Sequence, residues 1–511
     1  MANDFESITN SFKGLDISSP VLEDEEALNL PKCINRIDDA GIQLFRQAAT
    51  DVADVKRIID ATVAVLNEAL ENSVVGHLIA LVPQDTSYIS PDSRLPKLRQ
   101  YFNDDITKIA RGVLHNPQNR DGFLWKTAEE CYNQAICQDG TLYVGNRTIS
   151  VDEDSPAYLR ATPKTRQENV RNEKERWRNF WAEALRRSPG GPTLFYPPAV
   201  DSPTMGVDFE EIPQYLFRTF DQKSSGINNT AIIASQMSID RPKESRTDIL
   251  SVDNRTAENK LGSHLQKSFF SAPPSDNLVS WTSSILFALQ YALYRSHLPG
   301  LSPADIKICA VETGKFPQGQ FARDMWLIRA YRETATMIGG DTRRFFQFRY
   351  DNQDYYNGEY LSQGLVTLSS RSSIVSLETL IQSGLYSLYP DLTSTTDKLA
   401  NRVRDLRDLW GNEIQTTLQE LENALEIAKT FNALEALDIA VLLLSLKHRK
   451  YKSTVSQFAE YKHAPELTER SPPEIRRFLE GMYLMTQCRD EGALDESTDM
   501  WMLQQVFEWN N

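Results

Sequence analysis

The sequence lacks three features that define common classes of protein: paired cysteines, an excess of positive charge and long apolar runs. Its five cysteines are scattered, odd in number and without a CxxC pair. They predict neither a disulfide framework nor a structural zinc site, and no metal is expected. The formal net charge of −15 and the isoelectric point of about 5.1 oppose general attraction to a phosphate backbone. Nucleic acid is therefore not the expected partner.

The sequence also lacks the segments that carry a chain into or across a membrane. Its longest apolar run, residues 439–446, is far shorter than the roughly 20 residues that span a bilayer. The first residues have neither the basic start nor the apolar stretch of a secretory signal. We therefore expect an intracellular protein, cytoplasmic or nuclear, with no membrane partner.

The composition is that of a globular protein, with 41% hydrophobic and 24% charged residues. The acidic segment 1–35 has no sustained apolar periodicity and predicts a mobile tail. Residues 36–187 are predicted to be mainly helical. Prolines and glycines break the pattern in residues 188–212, the predicted linker. Residues 213–392 then form a predicted mixed α+β domain, and residues 393–511 a helical C-terminal domain.

Individual elements follow from local periodicity. Helical spacing of apolar residues predicts helices at 40–75, 95–114, 125–136, 166–187, 284–293, 399–410, 418–431 and 434–447. A turn signal predicts a hairpin within 138–144. Aromatic and β-branched runs, such as 306–311 and 345–349, favour short strands. The overall prediction is an α+β protein whose central domain is flanked by mainly helical regions.

Three short segments of the central domain each place one polar side chain in or at the end of an apolar, strand-like run. The side chains are Arg218, Ser280 and Glu359. An arginine grips a pyrophosphate through two parallel hydrogen bonds. A carboxylate stabilises the positive charge that develops on a ribose when its leaving group departs. A hydroxyl can orient that carboxylate or contact the ribose, so the set fits cleavage of the ribose–nicotinamide bond of NAD.

These segments resemble the ADP-ribosyltransferases of the arginine, serine, glutamate class, which includes cholera toxin, heat-labile toxin and the pierisins. The pattern is also similar to an uncharacterised domain of filamentous fungi. The resemblance implies two small packed sheets within residues 213–392 and NAD as a substrate. It implies that Glu359 and Ser280 are catalytic and that Arg218 binds the cofactor. It adds Thr282, from the serine–threonine–serine-like triplet, and His264, on the adenosine side, as cofactor-binding residues.

The loop before Glu359 differs from the arginine-modifying members of that class. They carry a glutamate where this sequence has Asn357, and a neutral amide cannot add a second carboxylate to hold a guanidinium. We therefore expect an acceptor other than arginine. In the family the same loop meets the acceptor, which implies that Tyr355 and Tyr356 contribute to substrate recognition. The alternative is that both tyrosines only pack a turn.

Two functions remain open. The first is transfer of ADP-ribose from NAD to an unknown protein or small-molecule acceptor, or hydrolysis of NAD. The second is a catalytically silent protein that uses the same fold as a scaffold, with helical flanks that bind protein partners. Trp281 favours the second, because a bulky ring replaces a small hydroxyl residue at the centre of the triplet. Arg218 can also be interpreted as a strand-end arginine paired with Asp221.

Overall fold

The computed structural model describes residues 123–135, 143–144, 147–148, 182, 185–186, 190–196, 212–266, 276–393, 399–452, 471–490 and 499–510. The chain divides into two compact units, residues 1–191 and 192–511. The division lies inside the predicted linker 188–212. The predicted tail 1–35, the predicted helices 40–75 and 95–114, and most of the predicted helix 166–187 lie outside the described residues.

In the first unit the described residues give the bounds of one helix and one hairpin, and residues 182 and 185–186 are also helical. Helix α1 spans Phe123–Ala135, close to the predicted range 125–136. Strands β1, Tyr143–Val144, and β2, Arg147–Thr148, pair antiparallel. The hairpin therefore turns after Val144, later than the turn predicted within 138–144.

The second unit is a mixture of helices and strands. Its strands are β3 Tyr215–Phe220, β4 Ile227–Asn228, β5 Ile232–Ala234, β6 Leu278–Thr282, β7 Lys307–Glu312, β8 Ala322–Arg323, β9 Glu359–Gln363, β10 Leu365–Thr367, β11 Ser372–Ser376, β12 Thr416–Thr417 and β13 Trp509–Asn510. Its α-helices are α2 Gln236–Asp240, α3 Asn254–Gln266, α4 Ile285–Ser296, α5 Asp324–Ile338, α6 Gly340–Asp351, α7 Leu377–Gln382, α8 Leu385–Leu388, α9 Leu399–Leu409, α10 Leu418–Lys429, α11 Ala436–Leu444, α12 Pro473–Asp490 and α13 Asp499–Val506.

Two antiparallel sheets form the centre of this unit. The larger has six strands in the order β11–β7–β3–β6–β9–β8, and the smaller has three in the order β10–β5–β4. Apolar residues of both sheets share one buried cluster, which includes Leu216 and Trp281 from the larger sheet and Ile233 and Val366 from the smaller. The two sheets therefore pack together, and the protein is α+β. Strands β3, β6 and β9, which carry the three polar side chains, are consecutive neighbours.

The C-terminal helices share a core with the larger sheet. One buried cluster joins Phe217 of β3 and Ile308 of β7 to Leu421 of α10, Leu443 of α11 and Phe507 after α13. Burial of apolar surface is the main stabilising term in such a core. The described C-terminal helices, α9 to α13, are thus part of the same compact unit as the sheets.

Two local predictions are wrong. Residues 345–349, predicted as a strand, lie in helix α6, which begins at a corner formed by Gly339 and Gly340, both with positive φ. Five residues are too few to separate the two periodicities, and here only Phe346 is buried whereas Phe348 is 45% exposed. The apolar spacing that predicts the helix 399–410 includes Leu409 among the residues of its buried face, but Leu409 is 57% exposed. None of the helices in the described part of the chain is long and apolar enough to span a bilayer.

Candidate functional site

The pairing of β3, β6 and β9 brings the three predicted segments side by side. Thr282 of β6 pairs with Phe217 of β3 on one side and with Glu359 of β9 on the other. Ser280 pairs with Leu361, two residues beyond Glu359. Side chains alternate between the two faces of a strand. Ser280 and Glu359 therefore lie on one face, close enough for their side chains to meet.

A hydrogen bond joins these two side chains. The Ser280 hydroxyl donates to Glu359 Oε1 over 2.9 Å. The turn between β6 and α4 lies close to Gly358, at the start of β9. Gly358 has a φ of 63°, and a Cβ at this position would lie 2.1 Å from Ser283 Oγ. The Ser283 amide also donates to the Gly358 carbonyl, at 2.8 Å. Only glycine fits this conformation and this space without strain.

The Arg218 side chain contacts strand β6 through the backbone carbonyl of Ser280. Its Nη1 donates to the Ser280 carbonyl at 2.9 Å, and its Nε donates to Asn228 Oδ1 at 3.1 Å. Both acceptors are neutral, and no carboxylate among the described residues pairs with this guanidinium. Burial lowers the pKa of Arg218 below its ordinary value. Asp221, the alternative partner considered for Arg218, instead forms a bidentate pair with Arg295.

Ser280 has a second partner that belongs to a chain of three side chains. His264 Nε2 lies 2.9 Å from Ser280 Oγ, and His264 Nδ1 lies 2.9 Å from Asp276 Oδ1. The same Asp276 oxygen accepts the Leu278 amide N–H. His264 is thus beside Ser280, and both of its ring nitrogens face protein groups.

The second oxygen of Glu359 is engaged by an arginine. Arg349 of α6 lies between two carboxylates and contacts Glu359 Oε2 at 2.7 Å and Asp324, the fully buried first residue of α5. Burial alone would lower the pKa of Arg349, but the charges of Asp324 and Glu359 outweigh it and raise the pKa above its ordinary value. Arg349 therefore stays charged, and it holds one side of the Glu359 carboxylate.

Thr282 and Asn357 hold the turn that leads into β9. The Thr282 hydroxyl donates to the Asn357 carbonyl and accepts the Ser284 amide N–H at 3.0 Å. Thr282 is 6% exposed. In this arrangement the threonine hydroxyl is occupied by the backbone of its own loop.

The two tyrosines before Asn357 differ in their surroundings. Tyr355 is half-buried, its ring lies 5.2 Å from the Arg404 guanidinium, and its hydroxyl accepts from Arg404 Nη1 at 2.6 Å. Tyr355 therefore packs against helix α9.

Tyr356 is buried, with 5% of its surface exposed. Its hydroxyl donates to Asp324 Oδ1 at 3.1 Å and accepts from Arg323 Nε at 3.0 Å. Burial and the nearby Asp324 carboxylate raise the pKa of Tyr356 well above its ordinary value. The ring lines the protein interior, which corresponds to the alternative in which the tyrosine packs a turn.

Trp281 points away from the Ser280–Glu359 pair. It is adjacent to Ser280 in β6 and therefore lies on the opposite face of the strand. Its indole Nε1 donates to Ser362 Oγ at 2.8 Å, and its ring packs edge-on against Phe321 with centroids 5.5 Å apart. The bulk of Trp281 fills the core beneath the strand.

Three side chains of this cluster were not identified as site residues from the sequence: Asp276, Asp324 and Arg349. Asp276 and Asp324 are 1% and 0% exposed. Aspartates are common in the first turn of a helix and in loops before strands, so the sequence gives no signal that separates these two from others. Among the described residues, no group of three or more histidine, cysteine, aspartate or glutamate side chains is arranged to hold a metal ion.

A family model described as Domain of unknown function (DUF7587) matches residues 211–367. The matched segment contains Arg218, His264, Ser280 and Glu359, and it ends with β10. Comparisons with curated proteins and with solved structures gave no match.

Proposed function

We propose that the unit of residues 192–511 cleaves NAD between the ribose and nicotinamide and passes ADP-ribose to an acceptor or to water. In this proposal its two-sheet domain is related in fold to the ADP-ribosyltransferases of the arginine, serine, glutamate class. The observation that carries the proposal is the combination of a half-buried Arg218, which pairs with no carboxylate of the described residues, with the Ser280–Glu359 pair on the neighbouring strands.

Arg218 suits an anionic ligand. A cation that is partly withdrawn from water without a counter-charge is costly, and among the described residues Arg218 has two neutral oxygens as partners. A guanidinium carries five N–H donors. The two bonds use two of them, which leaves three donors for a ligand. A pyrophosphate supplies the missing charge and accepts two parallel hydrogen bonds. Arg218 therefore has the features of the residue that binds the pyrophosphate of NAD.

Glu359 suits the developing charge on the ribose. Departure of nicotinamide breaks the bond between ribose C1′ and the pyridinium nitrogen. The bonding electrons leave with neutral nicotinamide, and the ribose becomes an oxocarbenium-like cation. A preorganised carboxylate stabilises that cation, and the hydroxyl of Ser280 fixes the carboxylate. An acceptor nucleophile, or water, then bonds to C1′ and loses a proton.

Release of nicotinamide tests the proposal. Purified full-length protein is incubated with NAD labelled in the nicotinamide ring, and with NAD labelled in the adenylate plus a cell lysate. We expect release of labelled nicotinamide, with adenylate label on an acceptor if transfer occurs. Glu359→Gln is the matched negative control. No release above this control, with or without lysate, contradicts the proposal.

A catalytically silent scaffold is the second candidate, and the Arg349 contact favours it. Glu359 is engaged on one oxygen by Ser280 and on the other by Arg349, and a neighbouring cation weakens its attraction for an oxocarbenium ion. Trp281 does not add to this candidate, because its ring points into the core and away from the Ser280–Glu359 pair. NAD binding without turnover in the same assay is the result that would establish it.

The acceptor is proposed to be a group other than arginine. Asn357 supplies no carboxylate, and Arg349 already brings a guanidinium to Glu359. A second guanidinium at the same place would meet like-charge repulsion. Mass spectrometry of modified lysate proteins tests this point, and ADP-ribose found mainly on arginine side chains contradicts it.

A further inference from the structure

Asp276, His264 and Ser280 form a continuous hydrogen-bonded chain that ends at Glu359. The four side chains come from the segment before β6, helix α3, strand β6 and strand β9. Each of the three steps measures 2.9 Å. Asp276 and His264 side chains are 1% and 11% exposed, so the chain is largely shielded from water. Hydrogen bonds in such a setting are stronger than on the surface.

Asp276 fixes the orientation of the imidazole ring. Its Oδ1 is already tied to the strand by the Leu278 amide N–H, so the carboxylate does not rotate freely. A carboxylate opposite Nδ1 selects the state in which Nδ1 carries a proton. The other ring nitrogen, Nε2, is then directed at Ser280 Oγ. The aspartate thus determines which nitrogen of His264 meets the serine.

The Ser280 hydroxyl has one proton, and two neighbours, His264 Nε2 and Glu359 Oε1, determine where that proton points. If Nε2 is unprotonated, it competes with Glu359 for that proton. If Nε2 is protonated, it donates to Oγ, and the serine proton goes to Glu359. In both states the ring fixes the Oγ position. Misplacing a reacting or orienting group by about 1 Å can reduce turnover about 100-fold.

We infer that His264 and Asp276 are positioning residues that hold the Ser280 hydroxyl, and through it the Glu359 carboxylate, for cleavage of NAD. This inference rests on the proposed function. It assigns His264 to the glutamate side of the site, whereas the family resemblance placed it beside the adenosine. It also adds Asp276, which the sequence did not indicate.

The same three side-chain types form the nucleophilic triad of many hydrolases. Here the Glu359 carboxylate lies 2.9 Å from the serine oxygen. A negative charge at that distance opposes the oxyanion that forms when a serine attacks an acyl group. The geometry therefore favours an orienting role for Ser280 over acyl transfer.

A double-mutant cycle on the full-length protein tests the inference, with nicotinamide release as the readout. For His264→Ala and Asp276→Asn we expect kcat to fall about 10- to 100-fold while KM changes little. His264→Gln, which keeps a hydrogen-bonding group near the serine, should recover part of the loss. His264→Ala added to Ser280→Ala should have almost no further effect. His297→Ala, at an exposed position, is the matched control and should behave like the wild type.

The outcomes separate the two proposals. A raised KM with unchanged kcat for His264→Ala, or an undiminished effect of this change in the Ser280→Ala background, overturns the positioning role and leaves NAD cleavage intact. Labelling of Ser280 by a fluorophosphonate overturns it in favour of acyl chemistry. Absence of nicotinamide release from the wild type overturns the proposed function.

Nitrogen-15 NMR gives a readout that does not depend on activity. The chain has six histidines, and the His264 signals are identified by their loss in His264→Gln. We expect a protonated Nδ1 in the wild type and a changed proton distribution in Asp276→Asn. An unprotonated Nδ1 in the wild type overturns the inference, whatever the assay shows.

Discussion

Ser280 and Glu359, which are 79 residues apart in the sequence, share a hydrogen bond of 2.9 Å between Oγ and Oε1. The bond exists because β6 and β9 pair in the register that sets Thr282 opposite Glu359. A one-residue slip would turn one of the two side chains to the other face of the sheet. The geometry of the candidate site therefore depends on the register of two central strands.

The first prediction concerns Glu359→Gln. The change keeps size and shape but removes the charge that stabilises the oxocarbenium ion. We expect turnover of NAD to fall about 100-fold or more, while NAD binding changes far less. Nicotinamide release and isothermal titration with NAD measure the two effects. Glu378→Gln, at an exposed position of α7, is the matched control, and equal losses of binding and turnover in Glu359→Gln would indicate damage to the fold.

The second prediction concerns Arg349. Arg349→Ala removes the cation that contacts the buried Asp324 directly, and breaking a buried ion pair in this way costs about 3–5 kcal/mol. We expect the free energy of unfolding to fall by about that amount in urea denaturation. Arg344→Ala is a control on the same helix, because its pair with Asp341 is about 80% exposed on both sides. Such a pair contributes roughly 0–1 kcal/mol. Similar losses in both variants would show that the Arg349 contacts are not buried as described.

The third prediction concerns pH and the buried pair of Glu474 and Arg407. Arg407 donates to both oxygens of Glu474, and Ser284, at the start of α4, donates to one of them. Burial would raise the pKa of Glu474, but the charge of Arg407 and these hydrogen bonds outweigh it and lower the pKa below its ordinary value. The unfolded chain then binds the proton more tightly than the folded protein.

Stability from this pair is therefore fully present above the ordinary pKa of glutamate, about 4.3, and is lost as the pH falls through the lower folded value. Glu474→Gln lacks this contribution. We expect the unfolding free energy of this variant to be about 3–5 kcal/mol below that of the wild type at pH 7. This difference should narrow as the pH falls below about 4.5. Denaturant titrations from pH 7 to 3.5 measure it, with the exposed Glu422→Gln as control. A deficit that stays constant over this range contradicts the prediction.

The sequence identified Arg218, Ser280 and Glu359 because each lies in a short apolar run, and apolar runs are local signals. It did not identify Asp276, Arg349 or Glu474. Their roles arise from contacts between distant segments, such as the one between Ser284 and Glu474, which are 190 residues apart. Nothing in the neighbourhood of a lone charged residue predicts which distant side chain it meets.

The same reason explains the error at residues 345–349. Over five residues an aromatic run is compatible with a strand or with a helix, and the two glycines before it gave no preference. The helix matters for the site, because it carries Arg349 to Glu359. The packing of the C-terminal helices on the sheet also depends on long-range burial, which local periodicity does not report.

The last prediction concerns the smallest part of the chain that folds. The family match ends at residue 367, but β11, residues Ser372–Ser376, pairs with five of the six residues of β7. The buried cluster around Phe217 also draws on helices α10 to α13. A fragment of residues 211–367 would expose the edge of β7 and one face of the sheet. Exposed edges and apolar faces of this kind promote aggregation.

We therefore expect the 211–367 fragment to be aggregated or to lack a cooperative thermal transition, whereas the 192–511 fragment unfolds cooperatively. Circular dichroism melts and size-exclusion chromatography of the two fragments make the comparison. Arg407→Ala in the 192–511 fragment should lower its transition temperature, because Arg407 links α9 to the Tyr356 carbonyl and to Glu474. A monomeric 211–367 fragment with a melt close to that of 192–511 would show that the sheets do not need the C-terminal helices.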